Sequence, residues 1–420
     1  MKKKKLQFFE NIDIKKRLPL LSWCLYNWAS ESFPVIITTF IFGTYFTTHI
    51  AVNKITGTYQ WANAIALAGI IIAIASPIFG AIADHSGRLK RWLFAFTTLC
   101  VISSALLWYA YPTPSSIPLT LICIVTGTIG FEISLVFYNS FLPYIAPKGY
   151  IGRFSGWAWG FGYLGGILAL SIALFILIKA AGGAIDKVRM CGPLVAIWFS
   201  VFALPLFIFI PDIKPTDRSM GNAILKGLSQ FFTTIKTIPQ QRNLMLYLLA
   251  HLIYVDGLNT LFAFAGIYAA GTFGMDLTSV IILGITLNIT AGIGAILLAW
   301  VDDWLGAKPT IIFCLAGLAG FGIPVVFVQS TVCFWILALL VAAFVGSVQA
   351  ASRSLMTRLA PIEKTTEMFG LYAFSGKITS FIGPWLLGLT TIAFHSQRAG
   401  MATILVFFVI GGTLMWFVKE

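Results

Sequence analysis

Five ionisable side chains interrupt long apolar stretches of this chain: Glu31, Glu132, Asp256, Arg353 and Lys377. A charge surrounded by apolar residues is costly, so each is a candidate functional group. Their chemistry is ionic rather than covalent. Three carboxylates and two cations can seat a zwitterion, move a proton, or pair with one another to hold a closed form together, and residue types alone leave all three open. Polar neighbours at helical spacing extend each charge into a face. Asn27 stands one turn before Glu31, Asn139 two turns after Glu132, Asn259 and Thr260 one turn after Asp256, and Gln349 one turn before Arg353. Such a cleft suits a carboxylate on Arg353 with an amine on Glu31, Glu132 or Asp256. It equally suits proton coupling, because a buried carboxyl group can load and release a proton. His251, in the same stretch as Asp256, has the chemistry of a relay but reads better as a hydrogen-bonded packing histidine.

Patterns that would carry covalent chemistry fail on context. Gly160-Phe-Gly162-Tyr-Leu-Gly165 fits a dinucleotide fingerprint, yet it lies within an apolar run with no strand before it, so close helix packing explains it better. Asp84-His85-Ser86 has the residue types of a hydrolase triad, but three consecutive residues cannot converge on a substrate from separate elements. HExxH and P-loop patterns are absent from the sequence. Cys24, Cys100, Cys123, Cys191, Cys314 and Cys333 are scattered without CxxC spacing and read as apolar fillers. The expectation is no catalytic residue, no metal and no cofactor.

The elements that position the five charges follow from composition. Of 420 residues, 58% are hydrophobic and 10% charged, with mean hydropathy +0.89. A soluble domain carries about 25% charged residues to wet its surface. A soluble enzyme, a nucleic-acid binder and a disordered chain are excluded, leaving a polytopic membrane protein whose solvent is the lipid bilayer. Apolar runs long enough to cross it fall near 20–48, 59–83, 90–111, 117–143, 152–180, 191–211, 243–273, 277–303, 308–328, 331–359, 366–394 and 398–418. These are helical, since barrel strands would alternate over about ten residues. Lys and Arg placement orients them. With the N-terminus inside, 21 of the 28 basic residues fall on the inner side, five on the outer side, and two, Arg353 and Lys377, within spans. The net charge of +13 therefore reads as topology, with both termini cytoplasmic and no nucleic-acid partner. Residues 1–19 read as a basic cytoplasmic tail, not a cleavable signal peptide, since they lack an apolar core. Trp23, Trp61, Trp92, Trp108, Trp304 and Trp416, near span ends, read as interfacial anchors.

The longest polar break, 212–242, divides the spans into six (20–211) and six (243–420). Within it Ile224, Leu225, Leu228, Phe231, Phe232 and Ile235 recur at helical spacing, with Lys226 and Lys236 off the stripe, predicting an amphipathic linker helix on the cytoplasmic membrane face. The halves repeat. Gly80, Asp84 and Gly87 recur 219 residues later as Ala299, Asp303 and Gly306; Ala146-Pro147 and Gly156 recur 214 residues later as Ala360-Pro361 and Gly370. Two ordered matches argue for duplicated bundles. In the loop after span two, Gly80 permits close helix approach, Asp84 sits where a cation or a helix N-terminus can hold it, Gly87 permits a tight turn, and Arg88, Lys90 and Arg91 anchor the inner face. Such a latch, echoed by Asp303, forms in one conformation and breaks in the other.

That loop, Gly80-Ala-Ile-Ala-Asp84-His-Ser-Gly87-Arg88-Leu-Lys90-Arg91, resembles the signature loop of the major facilitator superfamily. A narrower resemblance, to the vacuole-effluxer branch, is carried by Trp23-Cys-Leu-Tyr26-Asn27-Trp28-Ala29-Ser30-Glu31-Ser32-Phe33, by Phe137-Tyr138-Asn139 with Leu142-Pro143, by Gln349-Ala-Ala-Ser352-Arg353-Ser354, and by Phe369-Gly370 with Gly376-Lys377. That branch usually has Asp where this chain has Asn27; here the acid is Glu31, one turn on. The resemblance implies an all-α fold of twelve transmembrane helices in two pseudo-symmetric six-helix bundles, with spans one, four, seven and ten lining a central cavity. Four of the five charges fall on those spans, one on each. It also implies a transporter, monomeric and in a bacterial inner membrane, with amino-acid export known from vacuolar members. Glycines 152, 156, 160, 162, 165 and 166 partly resemble the antiporter signature of span five, but Gly162 stands where that signature has proline. The expected function is a secondary active transporter of a small polar solute, an amino acid or related zwitterion, working by alternating access, with efflux and proton coupling as further expectations. A proton-coupled drug or organic-cation exporter is the alternative, and a non-transporting sensor the reading from another class.

Overall fold

The computed structural model describes residues 14–147, 149–179, 187–211 and 220–420. The basic tail before residue 14, Lys148, and Lys214 and Arg218 of the linker lie outside them. Among the described residues every regular element is a helix. In a medium without water each backbone N–H and C=O must be satisfied within its own segment, and these apolar runs can do so only by coiling. Eleven of the helical segments are long and apolar enough to cross a membrane: Arg17–Ile50, Lys54–Ser86, Leu89–Tyr109, Pro114–Ile145, Ile151–Ile176, Val188–Phe209, Arg242–Phe273, Ile282–Leu305, Ala307–Phe327, Thr331–Leu359 and Gln397–Trp416. They are spans one to ten and span twelve.

Span eleven departs from expectation. The run 366–394 is expected as one span, yet the helix stops at Lys377 and restarts at Ile382, giving a lower half Thr365–Lys377 and an upper half Ile382–Ala393 joined by a turn; Pro384 has no N–H for the Ser380 carbonyl one turn back. Span one is also irregular. Pro34 cannot donate a backbone hydrogen bond, and the coil widens to π geometry over Phe33–Phe40, with Ile41 N–H donating to the Ile36 carbonyl at 3.2 Å. Turns follow the local chemistry more simply. Gly87 ends span two in the left-handed region at φ 62°, where its N–H meets the Ala83 carbonyl at 2.9 Å. Asn53 caps the start of span two by accepting from Thr56 N at 2.8 Å.

Buried apolar side chains gather into two clusters. One draws on residues from Leu20 to Ile210; the other draws on Leu244 to Val418 together with Val136. The halves touch where span two packs on the lower half of span eleven, where span five packs on spans eight and ten, and where span four meets span eleven. The linker helix, Met220–Thr237, lies against span two. The linker helix and Glu420 mark one side of the molecule, the linker side.

Trp23 is not an interfacial anchor. It is fully buried, stacks on Tyr138 with centroids 4.5 Å apart, and donates Nε1 to the Tyr138 carbonyl at 2.9 Å. Trp304 and Trp416, at 83% and 67% exposure, do stand at the periphery. Five of the cysteines are buried and free, as fillers should be, and Cys333 is exposed.

Candidate functional site: an ionic midplane above two latches

Depth sorts the charges into layers. At about 1.5 Å per residue, Glu31, Glu132, Asp256 and Lys377 each lie about 20 Å from the linker-side end of their helices, whereas Arg353 lies about 9 Å from its own.

At the upper level, Glu132 of span four and Lys377 of span eleven form an ion pair of 2.6 Å that joins the two halves. Lys377 is the last residue of the lower half-helix, so the break frees it to reach across. Both side chains stay partly exposed, at 21% and 30%. Glu31 is close enough to feel Glu132 and Arg353. No hydrogen bond or ion pair to its carboxylate is made among the described residues. It rests against Gly162 and Gly166 of span five, and a Cβ on Gly162 would approach Glu31 Cγ at 3.0 Å.

Arg353 occupies the lower layer and is 3% exposed. Its Nε donates to Ser155 Oγ at 2.9 Å, its Nη2 to the Ser155 carbonyl at 2.6 Å and its Nη1 to Asn139 Oδ1 at 3.3 Å. The guanidinium lies over Trp23 at 4.8 Å and over Tyr138 and Trp159 at 5.7 Å each. All these partners belong to the opposite half and all are neutral; it makes no ion pair with a carboxylate among the described residues. In this conformation the Arg353 guanidinium is therefore engaged across the halves by Ser155 and Asn139. One turn above it, Gln349 Oε1 accepts from the Tyr163 hydroxyl at 2.6 Å, again across the halves.

Two predicted residues are buried in helix contacts. Asn27 is buried and donates Nδ2 to the Ala158 carbonyl at 2.8 Å, pinning span one to span five. Asp256 is 2% exposed; its Oδ2 accepts from Gly383 N–H at 3.1 Å, capping the upper half of span eleven, while Oδ1 has no hydrogen-bond partner among the described residues. Both side chains thus make hydrogen bonds within their own half. His251 is a packing residue, with Nδ1 2.8 Å from Ser375 Oγ and its ring on Tyr372.

On the linker side the repeat offsets become contacts. Asp84, at the end of span two, accepts from Thr366 N at 3.0 Å and Glu367 N at 2.8 Å, the first turn of span eleven in the other half. A carboxylate there complements the helix dipole. Asp303, at the end of span eight, accepts from Arg153 N–H at 3.3 Å, in the first turn of span five, and pairs with Arg153 Nε at 2.9 Å. Gly152 and Arg153 are Thr366 and Glu367 shifted by 214; Asp84 and Asp303 differ by 219. The glycines obey the same mapping. A Cβ on Gly370 would meet the Ser76 carbonyl at 2.5 Å, and one on Gly156 would strike the Ala295 carbonyl. Gly80 likewise lies on the Thr366 and Glu367 backbone. Arg88, expected as an anchor, makes no side-chain contact of this kind among the described residues. Sequence reasoning missed Ser155, Arg153 and the aromatic box around Arg353. Applying the 214 offset to Thr366 would have found Arg153's turn; Ser155 carries no signal of its own. It also missed Asp302, which is held by Arg358 at 2.6 Å, while Arg358 also pairs with Glu420.

Two helical halves locked together on one side, with polar groups partly exposed at mid-depth, make the architecture of a membrane transporter. The comparisons agree. The fold superposes on a proton:xylose symporter, XylE, with TM-score 0.74 at 15% identity, covering 97% of this chain and 95% of that one. It superposes on the transporter FucP in an outward conformation with TM-score 0.76 at 14% identity, covering 97% and 99%. Residues 2–170 match the Major Facilitator Superfamily model. Residues 150–420 match the model described as vacuole effluxer Atg22 like, and the chain belongs to that family. It is 28% identical over 408 residues to the MFS-type transporter YxiO of Bacillus subtilis (strain 168), covering 95% of this chain and 94% of YxiO. It is 27% identical over 278 residues to Autophagy-related protein 22 of Cryptococcus neoformans var. neoformans serotype D, covering 61% of this chain and 48% of that protein. The protein is therefore an integral, multi-pass, all-α major facilitator, a class of transporters and not of enzymes.

Proposed function

We propose that this protein carries a small zwitterion, an amino acid or a close relative, across a bacterial inner membrane by alternating access of bundles 20–211 and 243–420, with linker and termini cytoplasmic. The carrying observation is the midplane ion pair. Glu132 and Lys377 present one negative and one positive group from opposite halves, both partly exposed, with the unpaired carboxylate of Glu31 beside them. A zwitterion can exchange its ammonium for Lys377 at Glu132 and its carboxylate for Glu132 at Lys377, so binding loosens the direct tie between halves. Lys377 replaces Arg353 as the carboxylate partner, because Arg353 is fully engaged with Ser155 and Asn139. Glu31, with no hydrogen-bond or ion-pair partner for its carboxylate among the described residues, is the group free to carry a coupled proton. The family's description as effluxers supports export.

Counterflow with purified protein in proteoliposomes, against a panel of amino acids and lipophilic cations at two pH values, tests this. Exchange of amino acids, stronger in one pH condition and lost in Glu132→Gln, is the expected outcome. Exchange of lipophilic cations with no effect of amino acids would replace it with the second reading, an organic-cation exporter, which the unpaired Glu31 also suits. Unchanged pH-dependent exchange in Glu132→Gln would remove Glu132 from the mechanism.

A further inference from the structure

The linker helix has three faces where a simple amphipathic helix has two. Ala223, Gly227, Phe231 and Thr234 form one stripe at helical spacing, and all are buried. Gly227 lies flat on span two, where a Cβ would meet Ile82 Cα at 2.7 Å. On one flank of that stripe lie Ile224, Leu225, Leu228 and Phe232, with Leu225 68% and Phe232 60% exposed. On the other lie Asn222, Lys226, Ser229 and Thr233. An exposed apolar stripe beside a polar one marks a helix lying at a membrane interface. From Met220 to Arg242 the chain holds Lys226, Lys236 and Arg242 and no acidic residue, and none of the three is ion-paired among the described residues. Their charge therefore suits anionic lipid headgroups.

This helix also touches both sides of the span two–span eleven latch. It presses on Ile82, two residues before Asp84, and Gln230 Nε2 donates to Glu367 Oε2 at 3.4 Å in the opposite half. Glu367 is the residue whose backbone N–H Asp84 holds.

We propose that the linker helix docks on an anionic lipid surface and, gripped there, braces the Asp84 latch shut. The lipid supplies headgroup charge to the lysines and an apolar phase to Leu225 and Phe232; the helix passes that hold to Ile82 and Glu367. Anionic lipid thereby favours the form closed on the linker side. The inference rests on the membrane architecture and not on the choice of substrate, so it stands or falls apart from the zwitterion reading.

The test reads the latch directly. Tyr144 Oη donates to the Ile362 carbonyl across the halves at 3.0 Å, and both residues are exposed. In the full chain with Cys333→Ser, a short bis-maleimide cross-link between Tyr144→Cys and Ile362→Cys reports the closed form. Cross-linking should run about fivefold faster in vesicles of phosphatidylcholine with phosphatidylglycerol than in phosphatidylcholine alone. Lys226→Gln with Lys236→Gln should erase the difference. Leu225→Asn with Phe232→Asn should slow the reaction in both lipids. Gln230→Leu, which keeps the lysines but releases Glu367, should flatten the response. Asp84→Asn should slow cross-linking in every vesicle and so shows that the assay responds. Equal rates in the two lipids, or a full lipid response in the double lysine variant, would overturn the proposal.

Discussion

Arg353 illustrates how a buried cation is kept without a counter-ion. Its fork meets two acceptors on Ser155 and one on Asn139, and three aromatic faces screen it. Lysine offers a point charge and cannot reproduce that planar geometry. Arg353→Lys should therefore lose most of the exchange activity, nearly as much as Arg353→Gln, when the two are compared by counterflow. The midplane pair predicts the opposite kind of result. If Glu132 and Lys377 served only as a tie, the swap Glu132→Lys with Lys377→Glu would restore what each single change removes. If each also takes one end of the substrate, the reversed polarity sets the ammonium site away from Glu31, and the swap should stay at least about tenfold below the parent, the loss expected for about 1.4 kcal/mol of misplaced binding. Counterflow on the singles and the double decides. At this scale the sequence was legible where charge sat in an apolar run, as for Glu132 and Lys377. It was illegible where ordinary residues did the work: Ser155 looks like any serine in a span, and Trp23 sits at the position an interfacial anchor would take.

At the level of elements, the break in span eleven had a local signal that a count of apolar residues passes over: Thr379-Ser380 is polar, and Pro384, after Gly383, has no N–H for the Ser380 carbonyl and crowds it. Tertiary contacts then hold each half in place. The lower half is tied to the other bundle through Asp84, and the upper half is capped from its own bundle by Asp256. Lys377 is placed by that junction. Gly383 is the tightest point in it, since a Cβ would strike Thr260 Oγ1 and come within 2.9 Å of Asp256 Oδ1. Gly383→Val should push the upper half-helix off Asp256 at an overpacking cost of roughly 1–3 kcal/mol, seen as a lower thermal midpoint in detergent. Asp256→Asn keeps the acceptor to Gly383 and should be much milder. Spans, caps and the duplicated loops were readable because each rests on local composition; the anchoring of the half-helices was not, because it rests on contacts between residues more than a hundred positions apart.

The whole molecule is a pair of mirrored locks. Asp84 on the first turn of span eleven and Asp303 on the first turn of span five repeat one contact under the internal duplication, each backed by a glycine pressed on the partner helix. The 219 and 214 offsets were visible in the sequence, but two lists of matching residues do not say that each aspartate reaches into the other half; only the packing of one bundle on its copy shows that. Symmetry then makes a quantitative demand. A carboxylate accepting backbone N–H bonds at a helix start contributes about 1–2 kcal/mol, so Asp84→Asn or Asp303→Asn alone should lower the closed-to-open ratio roughly five- to thirtyfold. The two latches share no residue, so their effects should add in free energy and the double variant should multiply the single ratios. The 144–362 cross-link measures this in one vesicle composition. A double variant no more open than the worse single would mean that one latch governs the closed form and the other is carried along with it.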